Sequence, residues 1–164
     1  MSRFSEELDD NEYKNLHVMA WGSDSLSHWA LYLQDFETSP AGTLCHLQVE
    51  KKCDGLSITG RAQVSIESRN VYHTKPIRSF AIANASVTIS QVEQAANYVF
   101  RKQGYERYNL FTRNCQNFAA DVIQRLHESH PQTVPASAVR QVPRRGKIET
   151  VVASVFRRAP VPCS

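Results

Sequence analysis

The apolar positions in the first half of the chain fall in five short segments that are predicted to be β-strands, and polar stretches rich in Gly, Ser, Asp or Pro separate most of them. The segment at 61–69 alternates apolar and polar positions with the two-residue period of a half-buried strand. A polar turn at 35–42 joins the second and third segments, so these two are predicted to form a hairpin. The predicted strands are residues 16–21, 28–33, 44–50, 61–69 and 79–83.

After the last predicted strand, the apolar positions recur with the period of an α-helix. Ser90 and Glu93 have the spacing of a capping box, which predicts that a first helix covers 91–103. Gly104 is the expected C-terminal stop of this helix. The apolar residues at helical spacing are Val92, Ala95, Ala96, Val99 and Phe100.

A second helix is predicted after a loop at 105–113. Asn114 is a favourable N-cap, so the helix should begin at Cys115. The His130-Pro131 pair should end it, because the residue before a proline avoids helical backbone angles. The apolar face of this helix consists of Cys115, Phe118, Ala119, Val122 and Leu126.

The C-terminal part is basic and has a different pattern. Residues 131–146 show no clear period and are interpreted as a linker, whereas 147–158 regain an amphipathic helical pattern. Two interpretations of this amphipathic segment stay open, since it can dock on the domain or lie on an anionic membrane. The predicted organisation is a flexible N-terminus at 1–14, one domain at 15–130 and a basic linker with an amphipathic tail at 131–164.

Composition favours a single globular domain. Of the 164 residues, 41% are hydrophobic and 21% are charged, which is enough apolar material for a core. The net charge of +3 is too small to indicate a nucleic-acid-binding protein. Neither a signal peptide nor an apolar run long enough to span a membrane is visible, so we expect a cytoplasmic protein. Its four cysteines are then expected to be reduced thiols rather than a disulfide framework.

Two residues have the chemistry of a cysteine nucleophile and its base. Cys115 lies at a predicted helix start, where the positive end of the helix dipole stabilises a thiolate. His28 lies on a predicted strand and could take up the thiol proton if that strand packs against the helix. The structural alternative stays open, because a cysteine at the start of an amphipathic helix is more often a small buried residue.

Three short motifs, taken in order, resemble a known group of enzymes. They are the strand 28–33 with sequence HWALYL, His46 on the returning strand, and the stretch 108–118 with sequence YNLFTRNCQNF. They resemble the lecithin:retinol acyltransferase and phospholipase A/acyltransferase group, over roughly residues 15–130. The resemblance implies an α+β, circularly permuted papain-like fold of the NlpC type. In that fold an antiparallel sheet packs against a helix that starts at the nucleophilic cysteine.

The resemblance also implies roles for individual residues. Cys115 corresponds to the nucleophile, His28 to the general base, and His46 to the polar residue that orients the base. Gln116 and Asn117 stand where the resembling group carries Glu-His, so the nature of the substrate stays open. The residues expected near the substrate are Trp29, Asn114, Gln116 and Tyr108.

The predicted function is that of a cysteine-dependent acyl hydrolase or acyltransferase. It would act through a thioester acyl-enzyme on an ester, amide or thioester of a small molecule, lipid or peptide. The alternatives are a cysteine (iso)peptidase and a catalytically inactive module that keeps the fold and the cleft. No cofactor and no metal are expected, since Cys45, His46 and Cys53 lack the paired spacing of zinc ligands. Nucleic acid is not an expected partner, whereas the tail could make a peripheral membrane contact.

Overall fold

The computed structural model describes residues 11–21, 28–35, 40–49, 59–70, 78–109 and 113–142. These residues form a mixed α+β fold around one antiparallel sheet with the strand order β5-β1-β2-β3-β4-β6. The α+β class and the antiparallel sheet are therefore as predicted. The elements in chain order are β1 (Lys14–Trp21), β2 (His28–Gln34), β3 (Ala41–Val49), β4 (Thr59–Asn70), β5 (Arg78–Val87), α1 (Ile89–Lys102), β6 (Arg107–Asn109), α2 (Cys115–Ser129) and α3 (Ala136–Gln141).

The two faces of the sheet bury different sets of side chains. Successive side chains of a strand point to opposite faces, so Trp29 and Leu31 of β2 project to one face and Ala30 and Tyr32 to the other. The first face carries the main core, which includes the buried residues of the helices. The second face carries a smaller cluster consisting of Met19, Ala30, Tyr32 and Leu44, with Trp21 packed beside it.

A close approach on the second face explains a glycine in β3. A Cβ atom added to Gly42 would lie 2.5 Å from the Tyr32 ring. The ring is buried there, and its hydroxyl donates a hydrogen bond to the carbonyl of Pro40 at 3.0 Å. Tyr32 of β2 thus lies directly over Gly42 of β3, where a side chain on residue 42 would collide with the ring.

The first helix begins earlier than predicted. Thr88, not Ser90, is the N-cap of α1, and Gln91 completes the capping box with reciprocal hydrogen bonds of 3.1 Å. Ser90 lies inside the first turn, where its hydroxyl accepts a hydrogen bond from Gln94. The predicted end is confirmed, because Gly104 follows the helix with a φ of 69°, which a residue without Cβ adopts easily.

Two other predictions differ from the structure. β5 extends to Val87 because a bulge against β1, near Asn84 with a φ of 58°, interrupts the alternation without ending the strand. The loop predicted at 105–113 contains β6, which pairs with the start of β4. Asn114 caps α2 as predicted, and the helix ends at the C-cap His130.

Part of the predicted linker belongs to the domain. Val134, Ala138 and Val142 are buried in the main core, and residues 136–141 form α3. The backbone of Thr133 accepts a hydrogen bond from Ser86 of β5 at 2.9 Å, which attaches the segment to the sheet. The amphipathic helix predicted at 147–158 lies outside the described residues, as do residues 1–10. No helix in the described part of the chain is long and apolar enough to cross a membrane.

We expect α3 to be necessary for stability, contrary to the linker interpretation. Ala138→Asp places a carboxylate in the core and should reduce the free energy of unfolding by about 3 kcal/mol or more. Its neighbour Ser137 is exposed, so Ser137→Asp should change stability by less than about 0.5 kcal/mol. Urea denaturation followed by circular dichroism measures both. Equal stability of the two variants would show that the segment at 131–142 is dispensable.

Candidate active site

His28 and His46 lie side by side on adjacent strands. β2 and β3 pair so that Ala30 is opposite His46, and both imidazoles project from the same face of the sheet. Nε2 of His28 and Nδ1 of His46 are 2.9 Å apart, which is a hydrogen bond. The ring planes are nearly perpendicular, with the centroids 4.8 Å apart. The expected juxtaposition of these two side chains is therefore present, and Nδ1 of His28 is left for another partner.

A carboxylate that the sequence analysis missed continues this arrangement onto β4. Nε2 of His46 lies 3.1 Å from Oε1 of Glu67. Arg69 donates to the same oxygen from Nη2 at 2.8 Å and from Nε at 3.2 Å. Ser65 is opposite His46 in the β3–β4 register, so Glu67 and Arg69 share its face. The alternation rule indicates Glu67 only once the β3–β4 register is known.

An ionised Glu67 determines where the protons of both imidazoles lie. Burial acts to raise the pKa of Glu67, but the hydrogen bonds from Arg69 and His46 outweigh it and lower the pKa. A carboxylate only accepts, so Nε2 of His46 carries a proton, and in a neutral His46 ring Nδ1 then accepts. Nε2 of His28 then donates to His46, and Nδ1 of His28 carries a lone pair.

The environment keeps His28 neutral. Burial is the largest cause, followed by the repulsion that His46 would exert if it were also protonated and by the charge of Arg69, so the pKa of His28 falls to about 4. The negative charge of Glu67 acts in the opposite direction but does not compensate. At neutral pH the ring is therefore an uncharged base, able to accept a proton rather than to supply one.

Cys115 is the first residue of α2, directly after the cap. The side chain of Asn114 accepts a hydrogen bond from the amide of Asn117 at 2.8 Å, and its backbone carbonyl accepts from Phe118. These bonds determine where the helix starts and hence where the thiol lies. Cys115 is 7% exposed. The positive end of the α2 dipole acts on its sulfur.

The other described thiol, Cys45, has different surroundings. Its side chain is 1% exposed and lies in the main core, on the face of β3 opposite His46. Burial, together with the charge of Glu93, raises the pKa of Cys45 to about 12. A thiol with such a pKa is protonated at neutral pH and is a poor nucleophile.

The C-terminal end of α2 lies at the far end of β2. After the helix, the carbonyl of Thr133 bonds to Ser86 of β5. Ser86 pairs with Asn15 of β1, and Asn15 pairs with Gln34, the last residue of β2. The residues that follow α2 therefore lie at the same end of the sheet as the last residue of β2, beside the strand two positions away from β2.

The N-terminal end of α2 lies at the opposite end of the sheet. Just before the helix, Arg113 forms an isolated bridge to Asn109 of β6, which pairs with the start of β4. The start of β4 lies beside the end of β3, and the antiparallel β3 ends beside the start of β2. Cys115 and His28, each the first residue of its element, are therefore located toward the same end of the sheet.

The other residues expected near the substrate lie in varied positions. Trp29 is buried in the main core, whereas the aromatic ring beside His28 is that of Trp21, at a centroid distance of 6.1 Å. Asn114 is the buried helix cap, and Gln116 is half-buried next to the cysteine. Tyr108 is half-buried on β6 and packs against the main core.

The described residues contain no group of three or more His, Cys, Asp or Glu side chains that could hold a metal ion. Cys45 and His46, which the sequence analysis weighed as metal ligands, project from opposite faces of β3. Cys53 lies outside the described residues.

Comparison with known proteins identifies one family. A model described as the PPPDE putative peptidase domain matches residues 43–152. The matched segment contains His46, Glu67 and Cys115 and begins after His28, so the family match does not bear on His28. No curated protein and no solved structure matches the chain significantly.

We expect the two described thiols to differ strongly in reactivity. In a Cys53→Ser/Cys163→Ser background at pH 7.5, a low dose of iodoacetamide should modify Cys115 and leave Cys45 unmodified. The reason is that burial raises the pKa of Cys45 to about 12, whereas Cys115 lies at a helix start. Peptide mapping by mass spectrometry measures both. Equal labelling, or labelling of Cys45 alone, would contradict the assignment of Cys115 as the reactive thiol.

Proposed function

The chain belongs to the PPPDE peptidase family, a group of cysteine peptidases in the papain-like superfamily, and on this premise we propose that it hydrolyses a peptide or isopeptide bond. In this proposal Cys115 is the nucleophile, His28 the general base and His46 the residue that orients the base. The observation that carries it is the 2.9 Å hydrogen bond between His28 and His46 at the end of the sheet where α2 begins.

The proposed reaction uses the neutral imidazole of His28. Its Nδ1 accepts the thiol proton of Cys115 while the sulfur attacks the carbonyl carbon. The positive end of α2 stabilises the resulting oxyanion. The imidazolium then protonates the leaving amine as the C–N bond breaks, and a thioester to Cys115 remains. Water, deprotonated by His28, hydrolyses the thioester and regenerates the thiol.

The two side chains are proposed to meet at the ends of their elements. His28 projects from the sheet face opposite Trp29 and Leu31, whereas α2 packs on the Trp29 face. Contact across the middle of the sheet is excluded by this arrangement, but contact around the end of β2 is not. In the active enzyme we expect the Cys115 sulfur within about 4 Å of Nδ1 of His28.

Hydrolysis is preferred over the acyl transfer that the sequence resemblance implied. The family that matches is one of peptidases, and acyl transfer receives no support from the comparisons. Both reactions share the thioester, and they differ only in whether water or an added nucleophile resolves it. Hydroxylamine or a primary amine, added to the assay, separates the two outcomes, because transfer would give an acylated acceptor.

We expect activity to depend on three side chains. Profiling peptide, isopeptide, ester and thioester substrates should reveal hydrolysis that Cys115→Ser and His28→Ala reduce by roughly a thousandfold or more. His46→Ala should reduce kcat/KM by roughly ten- to a hundredfold, because it acts through His28. Cys45→Ser is the matched control and should keep most of the activity, provided that circular dichroism shows both serine variants folded.

Different outcomes of this profiling distinguish the alternatives. Acylated acceptor in place of free acid would identify a transferase. Equal turnover by wild type and Cys115→Ser would contradict the assignment of Cys115 as the nucleophile. No turnover of any substrate class by a wild-type chain whose Cys115 is unreactive would favour an inactive binding module.

The pH profile should report the low pKa of His28. A protonated imidazole cannot accept the thiol proton, so kcat/KM should fall as the pH decreases through the pKa of about 4. Activity should therefore persist at pH 5.5, below the ordinary pKa of histidine. Arg69→Gln removes one of the charges that lower this pKa and should move the acid limb to higher pH. An acid limb that stays at the same pH in this variant would contradict the assignment of the limb to His28.

A further inference from the structure

We propose that Glu67 is a positioning residue, whose carboxylate selects the tautomers of His46 and His28 and so directs the basic nitrogen of His28 toward Cys115. This inference rests on the proposed function, which it deepens. Glu67 touches neither the nucleophile nor the base; it acts through His46. The chain of contacts runs across three strands, from β4 through β3 to β2, on one face of the sheet.

Hydrogen bonds from two side chains hold one carboxylate oxygen of Glu67 in place. Oε1 of Glu67 accepts from Nε2 of His46 at 3.1 Å and from Arg69 at 2.8 and 3.2 Å. Charge-assisted hydrogen bonds from a planar guanidinium restrict a carboxylate more than a single contact does. Arg69 thus keeps Oε1 directed at His46, although the Glu67 side chain is 37% exposed.

The choice between two proton arrangements depends on this oxygen. In one, Nε2 of His46 donates to Glu67, Nε2 of His28 donates to His46, and Nδ1 of His28 is a base. In the other, Nδ1 of His46 carries the proton and donates to Nε2 of His28, so that Nδ1 of His28 is protonated. Both satisfy the 2.9 Å contact between the rings. With both rings neutral, an ionised carboxylate at Nε2 of His46 is compatible only with the first.

The alternative is that Glu67 has only a structural role, as one half of a surface ion pair with Arg69. Glu67 and Arg69 are both partly exposed, and such pairs contribute little to stability. Loss of the pair would then leave the imidazole protons where they are. The experiment therefore has to observe the protons themselves as well as the reactivity of the thiol.

Two substitutions separate the acceptor from the charge. Glu67→Gln keeps an oxygen that can accept from His46, whereas Glu67→Met keeps the length of the side chain but has no comparable acceptor. The matched control is Glu128→Gln, because Glu128 also pairs with an arginine, Arg125 at 3.7 Å, and its side chain is 52% exposed on the last turn of α2.

The full chain, labelled with ¹⁵N-histidine, reports each tautomer in long-range ¹H–¹⁵N spectra at pH 7. The signals are assigned with His28→Asn and His46→Asn. In the wild type and in Glu128→Gln, both rings should carry the proton on Nε2. Glu67→Met should move a substantial fraction of both rings to the Nδ1–H form. Glu67→Gln should retain the Nε2–H form.

The rate of Cys115 alkylation by iodoacetamide, followed from pH 4 to pH 9, gives the second measurement. Near neutral pH, Glu67→Met should lower the rate by roughly ten- to a hundredfold, and Glu67→Gln by less. The inference is overturned if Glu67→Met keeps both rings in the Nε2–H form, or if it changes the tautomers but not the alkylation profile. Failure of the proposed function gives a different result from failure of this inference. In that case Cys115 would be no more reactive than Cys45 in the wild type, whichever tautomers the two imidazoles adopt.

Discussion

The register between β2, β3 and β4 is the constraint on which the candidate site depends. Strand side chains alternate, so one register brings Trp29 and Leu31 into the main core and at the same time aligns His28, His46 and Glu67 on the other face. A slip by one residue would exchange the two sets and bury the imidazoles among apolar side chains. Burial of the core thus fixes the geometry of the hydrogen-bonded polar network formed by His28, His46 and Glu67.

This polar network is compatible with burial because each of its side chains has a hydrogen-bond partner. Buried polar groups are costly unless they are hydrogen-bonded, and a half-satisfied network is worse than an apolar one. Here the carboxylate of Glu67 is the last acceptor of the network, on its solvent-exposed side. Arg69 donates to this carboxylate and offsets its negative charge. At the His28 end, burial is the largest cause that lowers the pKa of the imidazole to about 4.

The helix start and the segment after the helix keep α2 in position from its two ends. Asn114 determines where α2 begins, and the attachment of Thr133 and α3 to β5 determines where the other end lies. The helix has 15 residues, or about 22 Å at about 1.5 Å per residue, and β2 has 7 residues, or about 23 Å at about 3.3 Å per residue. The similar lengths are consistent with Cys115 and His28 lying at one end of the sheet.

The sequence by itself determined the features that depend on near neighbours in the chain. Short apolar segments bounded by polar turns predicted the positions of β1 to β5, and the cap at Asn114 predicted the start of α2. Local pattern could not choose between Thr88 and Ser90 as the cap of α1, because both precede a suitable capping partner by three residues and the start depends on where β5 ends.

Only the tertiary structure decided the features that depend on distant partners. The segment 131–142 lacks a long period, and its few apolar side chains become informative only against the core that they cover. Glu67 is an ordinary strand residue until the β3–β4 register places it beside His46. Strand pairing is a contact between residues far apart in sequence, and a one-residue change in register reverses every side chain, so local pattern alone could not place Glu67 there.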